Sequence, residues 1–244
     1  MTLSMEIPYK ISNVIQTEAE MTVFIEKWAN ATKAAGSRWP AIVAFLALGG
    51  LYAALPSSLL LGGQRWLLLV LIAVLIVPML ISHYRGAHTT NMVLGYLLNG
   101  VVTAAMIISL GLLIRALPLH LEKPQELLQS AAALWLSNIL VFASWYWRLD
   151  AGGPHKRAQR RDHQRGAFLF PQMTLPTEKK HAAGIEEWTP NFIDYLFLAF
   201  NTSTAFSPTD VPVLSRWAKV LMMLQSMISL LVIALLAARA VNIL

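Results

Sequence analysis

Residues 66–82 read WLLLVLIAVLIVPMLIS, without one charged side chain. A water-soluble helix of that length keeps one polar face, and a helix that is apolar all round has to be buried. Residues 40–61, 91–114 and 128–147 likewise hold no Asp, Glu, Lys or Arg. Each stretch is close to the roughly 20 apolar residues that cross about 30 Å of hydrocarbon at a rise of about 1.5 Å per residue. Four such stretches in one chain are read as membrane spans. Composition agrees. The 244 residues are 56% hydrophobic and 13% charged, where soluble domains carry about 25% charged residues. Too little polar surface is available for a soluble enzyme or a nucleic-acid-binding domain. With no cysteine, a disulfide scaffold is excluded as well.

The sequence therefore predicts an all-α integral membrane protein with about five to six transmembrane helices. Residues 1–38 form an N-terminal segment in which Ile11, Val14, Ile15, Met21, Phe24, Ile25 and Trp28 recur at helical spacing, so an amphipathic helix at the interface is expected. The opening stretch is mixed and charged, with no cleavable signal peptide evident, so insertion is assigned to the internal segments. Residues 39–147 form a four-helix transmembrane region. Residues 148–190 are a basic polar loop that Gly and Pro interrupt too often for one helix. Residues 191–244 hold a short helix (192–206), a polar turn and a long apolar helix (213–243). Whether the short helix crosses or enters and returns is left open, and with it the side of the C-terminus.

Nineteen Lys and Arg residues against 13 Asp and Glu leave a net charge of +6. Lys10, Lys27, Lys33, Arg38, Arg85 and the whole cationic load of the 148–190 loop fall on one side if the spans alternate, while Arg65, Arg115 and Lys123 fall on the other. Cytoplasmic loops carry the excess of Lys and Arg, so the N-terminus and the basic loop are placed in the cytoplasm. Arg157, Arg160, Arg161 and Arg165 are expected to meet anionic lipid headgroups at about 1 kcal/mol per cation. No aromatic interleaving accompanies them, so nucleic acid is not a partner. His83 and His88 lack companion ligands, and no zinc motif, nucleophile elbow or phosphate loop is present. The chain is read as non-enzymatic, with no metal and no cofactor.

The informative stretch is Asn201, Thr202, Ser203, Thr204, Ala205, Phe206, Ser207, Pro208, Thr209 and Asp210. A row of hydroxyls ending in a carboxylate, at membrane depth, offers cation ligands if it lines a cavity. In the opposite reading the hydroxyls satisfy backbone groups in a turn. Asp194 is a possible intramembrane acid, which membrane cost makes a functional residue by default, or a helix cap in the first turn of its helix. Asp210 admits the same two readings. Asn99, Asn138, Asn201 and Gln225 are expected to hydrogen-bond between helices. Small residues such as Gly95 are expected to allow close helix approach.

The order of short helix, Thr-rich turn, Asp210, Pro212 and long helix resembles the pore module of the potassium-channel superfamily, over the C-terminal part of the chain. The resemblance implies a filter at Thr202 to Asp210 and a symmetric oligomer, a tetramer if a pore is formed. This chain departs from the family in having no glycine after Gly184, so a carbonyl-lined filter that needs positive φ is not expected. The basic loop before the short helix also inverts the sense of entry, as in glutamate-receptor channels. A second resemblance covers more of the chain: Phe142-Ala143-Ser144-Trp145-Tyr146, Gly166, Phe170-Pro171, Pro190, Asp194-Tyr195 and Ala240-Val241-Asn242 are similar to a bacterial inner-membrane family of unknown function. It implies the bacterial plasma membrane and no particular activity. Three functions remain in view: a channel-like pore for a cation or small solute, a carrier using Asp194 and Asp210, and a membrane scaffold that transports nothing.

Overall fold

The computed structural model describes residues 39–85, 87–119, 123–159, 166–183, 188–207 and 210–241. Met1–Ser37 form a separate unit from Arg38–Leu244, and the amphipathic N-terminal segment expected at 1–38 lies outside the described residues. So do Arg160, Arg161, Arg165, Pro208 and Thr209.

The described residues form helices α1 (Trp39–Ala53), α2 (Arg65–Tyr84), α3 (His88–Leu119), α4 (Pro124–Leu149), α5 (Pro154–Gln159), α6 (Pro171–Thr174), α7 (Thr177–Ala182), α8 (Phe192–Ala205) and α9 (Arg216–Val241). No β-strand occurs among them, apart from a single antiparallel bridge between Phe168 and Val213. Four helices, α2, α3, α4 and α9, are long and apolar enough to cross a membrane, and α1 is apolar but shorter. This is the expected all-α membrane architecture.

The first span differs from expectation. Residues 40–61 do not form one helix, because α1 stops at Ala53. Pro56 lacks an N–H and disfavours helical geometry at Leu55. The chain continues through two short 3-10 turns, Ser57–Leu59 and Leu61–Gly63, with Leu55, Leu59 and Leu60 buried. Gly62 and Gly63 take φ of 65° and 70°, a left-handed path that glycine enters without steric cost. Helices α2, α3 and α4 run slightly beyond their predicted limits, α9 starts three residues later than the expected 213, and Pro78 sits inside α2 without ending it.

Helix α4 is the axis of the fold, with 61% of its span buried against 22% for α9 and 28% for α2. It packs on α1, α3, α8 and α9. Polar pins set its register. Ser144 Oγ donates to Asn99 Oδ1 at 2.7 Å and Trp145 Nε1 to Thr103 Oγ1 at 2.9 Å. Gly95 faces Arg148 so closely that a Cβ there would collide with the guanidinium, which is the close approach expected of that glycine.

Contacts fix which way each helix runs. Arg148, near the end of α4, lies over the Phe45 ring of α1 at 5.8 Å and within 3.5 Å of Met79 Sδ on α2. Asn91, at the start of α3, donates to the Met79 carbonyl at 2.7 Å. The start of α1, the end of α2, the start of α3 and the end of α4 therefore share one end of the bundle, called here the basic-loop end. The four helices alternate in direction.

The chain then does something the charge pattern left open. Helix α8 starts at the basic-loop end, where Phe192 meets the Trp147 ring at 5.7 Å. It runs for 14 residues, about 21 Å at 1.5 Å per residue, which is short of a hydrocarbon core. Phe206 ends it in the left-handed region at φ 53°. By residues 211–214 the chain is back where it began. Leu169 N donates to Pro212 O at 3.0 Å, and Leu214 N donates to Ala167 O at 2.8 Å. Trp217 then meets Phe168 edge-on at 6.1 Å, while Phe168 also meets Tyr195 at 6.1 Å. Helix α9 leaves from that level, parallel to α8 and antiparallel to α4. Helix α8 enters the bundle, and the chain is back at the same end by residues 211–214.

Candidate functional site

The entering segment is built from its first turn upward. Asn191 caps α8, its side chain accepting from Ile193 N at 2.7 Å, while Asp194 Oδ2 accepts from Asn191 N at 2.7 Å. This reciprocal capping box satisfies two backbone donors that the helix leaves open. Asp194, a possible intramembrane acid in the sequence, is a helix cap in the structure. The buried face of α8 is Phe192, Tyr195, Leu198, Ala199, Thr202 and Ser203, a stripe at helical spacing that turns onto α4 and α9.

At the foot of α8 sits a cluster missing from the sequence reading. Asp150 is fully buried. Its carboxylate accepts from Tyr195 Oη at 2.6 Å and from Ala167 N at 2.5 Å. Arg157 is 4% exposed. It donates through Nη1 to the Trp147 carbonyl at 2.7 Å and the Asp150 carbonyl at 2.8 Å, with its guanidinium carbon 5.0 Å from the centre of the Tyr195 ring. Arg157 was expected to contact lipid headgroups. Its side chain points inward instead, since two carbonyls and an aromatic face satisfy it better than open solvent. A signal for the cluster is present in the sequence: Gly152-Gly153-Pro154 between Asp150 and Arg157 marks a reversal that brings the two together.

Toward the tip of α8 the polar side chains converge on Gln225. Its Nε2 donates to the Ala199 carbonyl at 2.7 Å and to Ser203 Oγ at 2.9 Å. Its Oε1 accepts from Tyr146 Oη at 2.5 Å, and its backbone carbonyl accepts from Asn138 Nδ2 at 3.2 Å. Ser229 Oγ donates to the Ser203 carbonyl at 2.7 Å and accepts from Trp135 Nε1 at 3.0 Å. Asn138 and Gln225 bridge helices as the sequence suggested. In a low-dielectric interior such groups must find partners, and this network supplies most of them within one chain, Asn138 Oδ1 being the atom left without one among the described residues.

The expected pore row thus divides in two. Thr202 and Ser203 are buried, and the Thr202 hydroxyl donates to the Leu198 carbonyl at 2.8 Å. Both are turned into the protomer, and Thr202 also borders the groove beside the rim. Thr204, Ala205, Phe206, Ser207 and Asp210 are exposed, and Asn201 is intermediate. The Thr204 hydroxyl lies 3.0 Å from the Phe200 carbonyl, in the back-bonded geometry common to helical Thr. Beside this rim lies a groove of about 650 Å³, bounded by Phe206, Ser207, Lys219, Met223, Ser226 and Met227. Among the described residues no cluster of His, Asp and Glu has the makings of a metal site.

The arrangement combines an anchored foot, a polar hub and an exposed rim on a segment that doubles back. No family model, no curated protein and no solved structure matches this chain.

Proposed function

We propose that the chain forms a channel-like pore for a cation or small solute, assembled from several copies around the segment 201–210. The observation that carries this reading is the return of the chain, marked by the Leu214–Ala167 and Leu169–Pro212 hydrogen bonds. A short helix entering from one end, an irregular return and a long helix beside it follow the order that the pore-module resemblance implies. Irregular backbone at membrane depth is tolerated where it is covered by protein or lines water. The rim residues Thr204, Ser207 and Asp210 face out of the protomer, where a second copy would complete a path. Helix α9 leaves Val220, Met223, Leu224, Met227, Leu230 and Leu231 exposed, a face that suits neighbouring copies or lipid.

The positive-inside rule places the basic-loop end in the cytoplasm of a bacterial inner membrane. The loop then enters from inside, opposite to potassium channels, and the start of α1 and the end of α9 lie on opposite sides of the membrane. The filter is glycine-free and works through side chains, not through a ladder of carbonyls. A carrier built on Asp194 is disfavoured, since that carboxylate is engaged as a cap. The test joins mass and flux. Purified protein is expected to run as a symmetric oligomer, a tetramer on the pore-module analogy. In liposomes it should pass monovalent cations at a rate that Asp210→Asn changes. A monomer that passes nothing overturns the proposal.

A further inference from the structure

A second site lies at the basic-loop end, away from the entering segment. Ala151, Gly152 and Gly153 take successive φ values of 50°, 81° and 94°, which turns the chain back over the end of α4. Only glycine adopts such angles freely. Gly152 has a further reason, because a Cβ there would stand 2.8 Å from Lys156 Cδ. The reversal carries His155 and Lys156 back beside Arg148. Between them and the first turns of α3 is a cavity of about 120 Å³, lined by Asn91, Tyr96, Arg148, His155 and Lys156 among others.

Its chemistry is one-sided. Arg148 is 7% exposed and is held by the Phe45 and Trp147 rings at 5.8 and 5.5 Å. Lys156 lines the cavity as well, and Tyr96 and His155 bring groups able to donate hydrogen bonds. None of the described lining residues is acidic. Asp150, the acid closest in sequence to Arg148, has its carboxylate engaged by Tyr195 and Ala167. A planar guanidinium and an ammonium on residues that line one cavity suit a tetrahedral oxyanion. The space is well above the roughly 10–15 Å³ that one water needs, which leaves room for a phosphate group.

We propose that the cavity between Arg148 and Lys156 binds a phosphate group. The same chemistry is offered by the headgroup of an anionic phospholipid and by free phosphate. This site does not depend on the pore reading.

The experiment uses the full chain in nanodiscs of phosphatidylcholine alone. Phosphatidylglycerol, phosphatidic acid and inorganic phosphate are titrated separately, and bound molecules are counted by native mass spectrometry. One saturable molecule per chain is expected. Binding should weaken at least tenfold in Lys156→Ala, at an exposed position that folding tolerates, and in Gly95→Ala, which drives a methyl into the Arg148 guanidinium. Lys179→Ala, an exposed cation on α7, removes the same charge elsewhere and should bind as the parent does. If inorganic phosphate binds and displaces the lipid, the ligand is free phosphate; if it does neither while lipid binds, the ligand is the headgroup. No saturable binding of any probe, or equal weakening in Lys156→Ala and Lys179→Ala, overturns the proposal.

Discussion

The Tyr195 hydroxyl donates to the Asp150 carboxylate at 2.6 Å, tying the first turn of the entering helix to the end of the central one. Both side chains are fully buried. Tyr195→Phe keeps the ring edge-on to Phe168 and Phe170 and removes only the hydroxyl. The carboxylate then loses one donor in a buried site, at about 1–3 kcal/mol. Thermal unfolding in detergent should show the drop, and Thr204→Val at the exposed rim should stay within about 0.5 kcal/mol of the parent. Equal stability of the two variants would refute the anchoring role.

The return of the chain can be read by chemical labelling. The protein has no cysteine, so single cysteines report without background. Leu214→Cys, 58% exposed, should react with an impermeant maleimide from the same side as Lys179→Cys. Gln64→Cys, between α1 and α2 at the far end, should react from the opposite side. Labelling of Leu214→Cys together with Gln64→Cys would mean that α8 crosses.

Asp194 is assigned as a cap, and its substitutions separate capping from chemistry. Asn191→Ala removes the N-cap acceptor and should cost about 1 kcal/mol. Asp194→Asn retains an acceptor for the Asn191 N–H and should leave both stability and solute flux near the parent's between acid and neutral pH. Loss of flux in Asp194→Asn at unchanged stability would restore the carrier reading.

Phe206 and Phe200 offer a matched pair. Each is 45% exposed, but Phe206 sits at φ 53° and Phe200 lies within α8. A left-handed L-residue costs roughly 1–2 kcal/mol, so Phe206→Gly should be neutral to mildly stabilising. Glycine inside a helix costs about 1 kcal/mol, and Phe200 also meets the Trp135 ring at 6.2 Å. Phe200→Gly should therefore destabilise. Matching losses in both would show that contact, not backbone geometry, governs Phe206.

The spans were legible because their apolar runs need no partner to be recognised. Residues 66–82 announce a membrane helix whatever lies beside them. The limits of α1 were misjudged because the apolar run continues past Pro56, and hydropathy alone does not register a helix stop. The polar row 201–210 was visible as a feature but not as two faces. Thr202 and Ser203 turn inward only because Gln225 and Ser229 stand opposite, and a single sequence does not say which helix a hydroxyl will meet. Arg157 was harder still. Nothing in a run of cations distinguishes the one that folds under its neighbours until Asp150 and the glycine turn are placed. The direction of α8 escaped charge counting because the cations after it are few and divide between the alternatives.

The hub around Gln225 also sets an order of events. Ser203 and the Ala199 carbonyl on α8 find partners on α9, which follows in the chain. During synthesis α8 therefore precedes the groups that complete it. A half-length helix with an unfinished polar tip has no stable resting place in lipid until α9 arrives. The two should settle together, with α8 waiting at the interface as a substrate for whatever insertion machinery is present. The last crossing would then be the step that commits the whole C-terminal module.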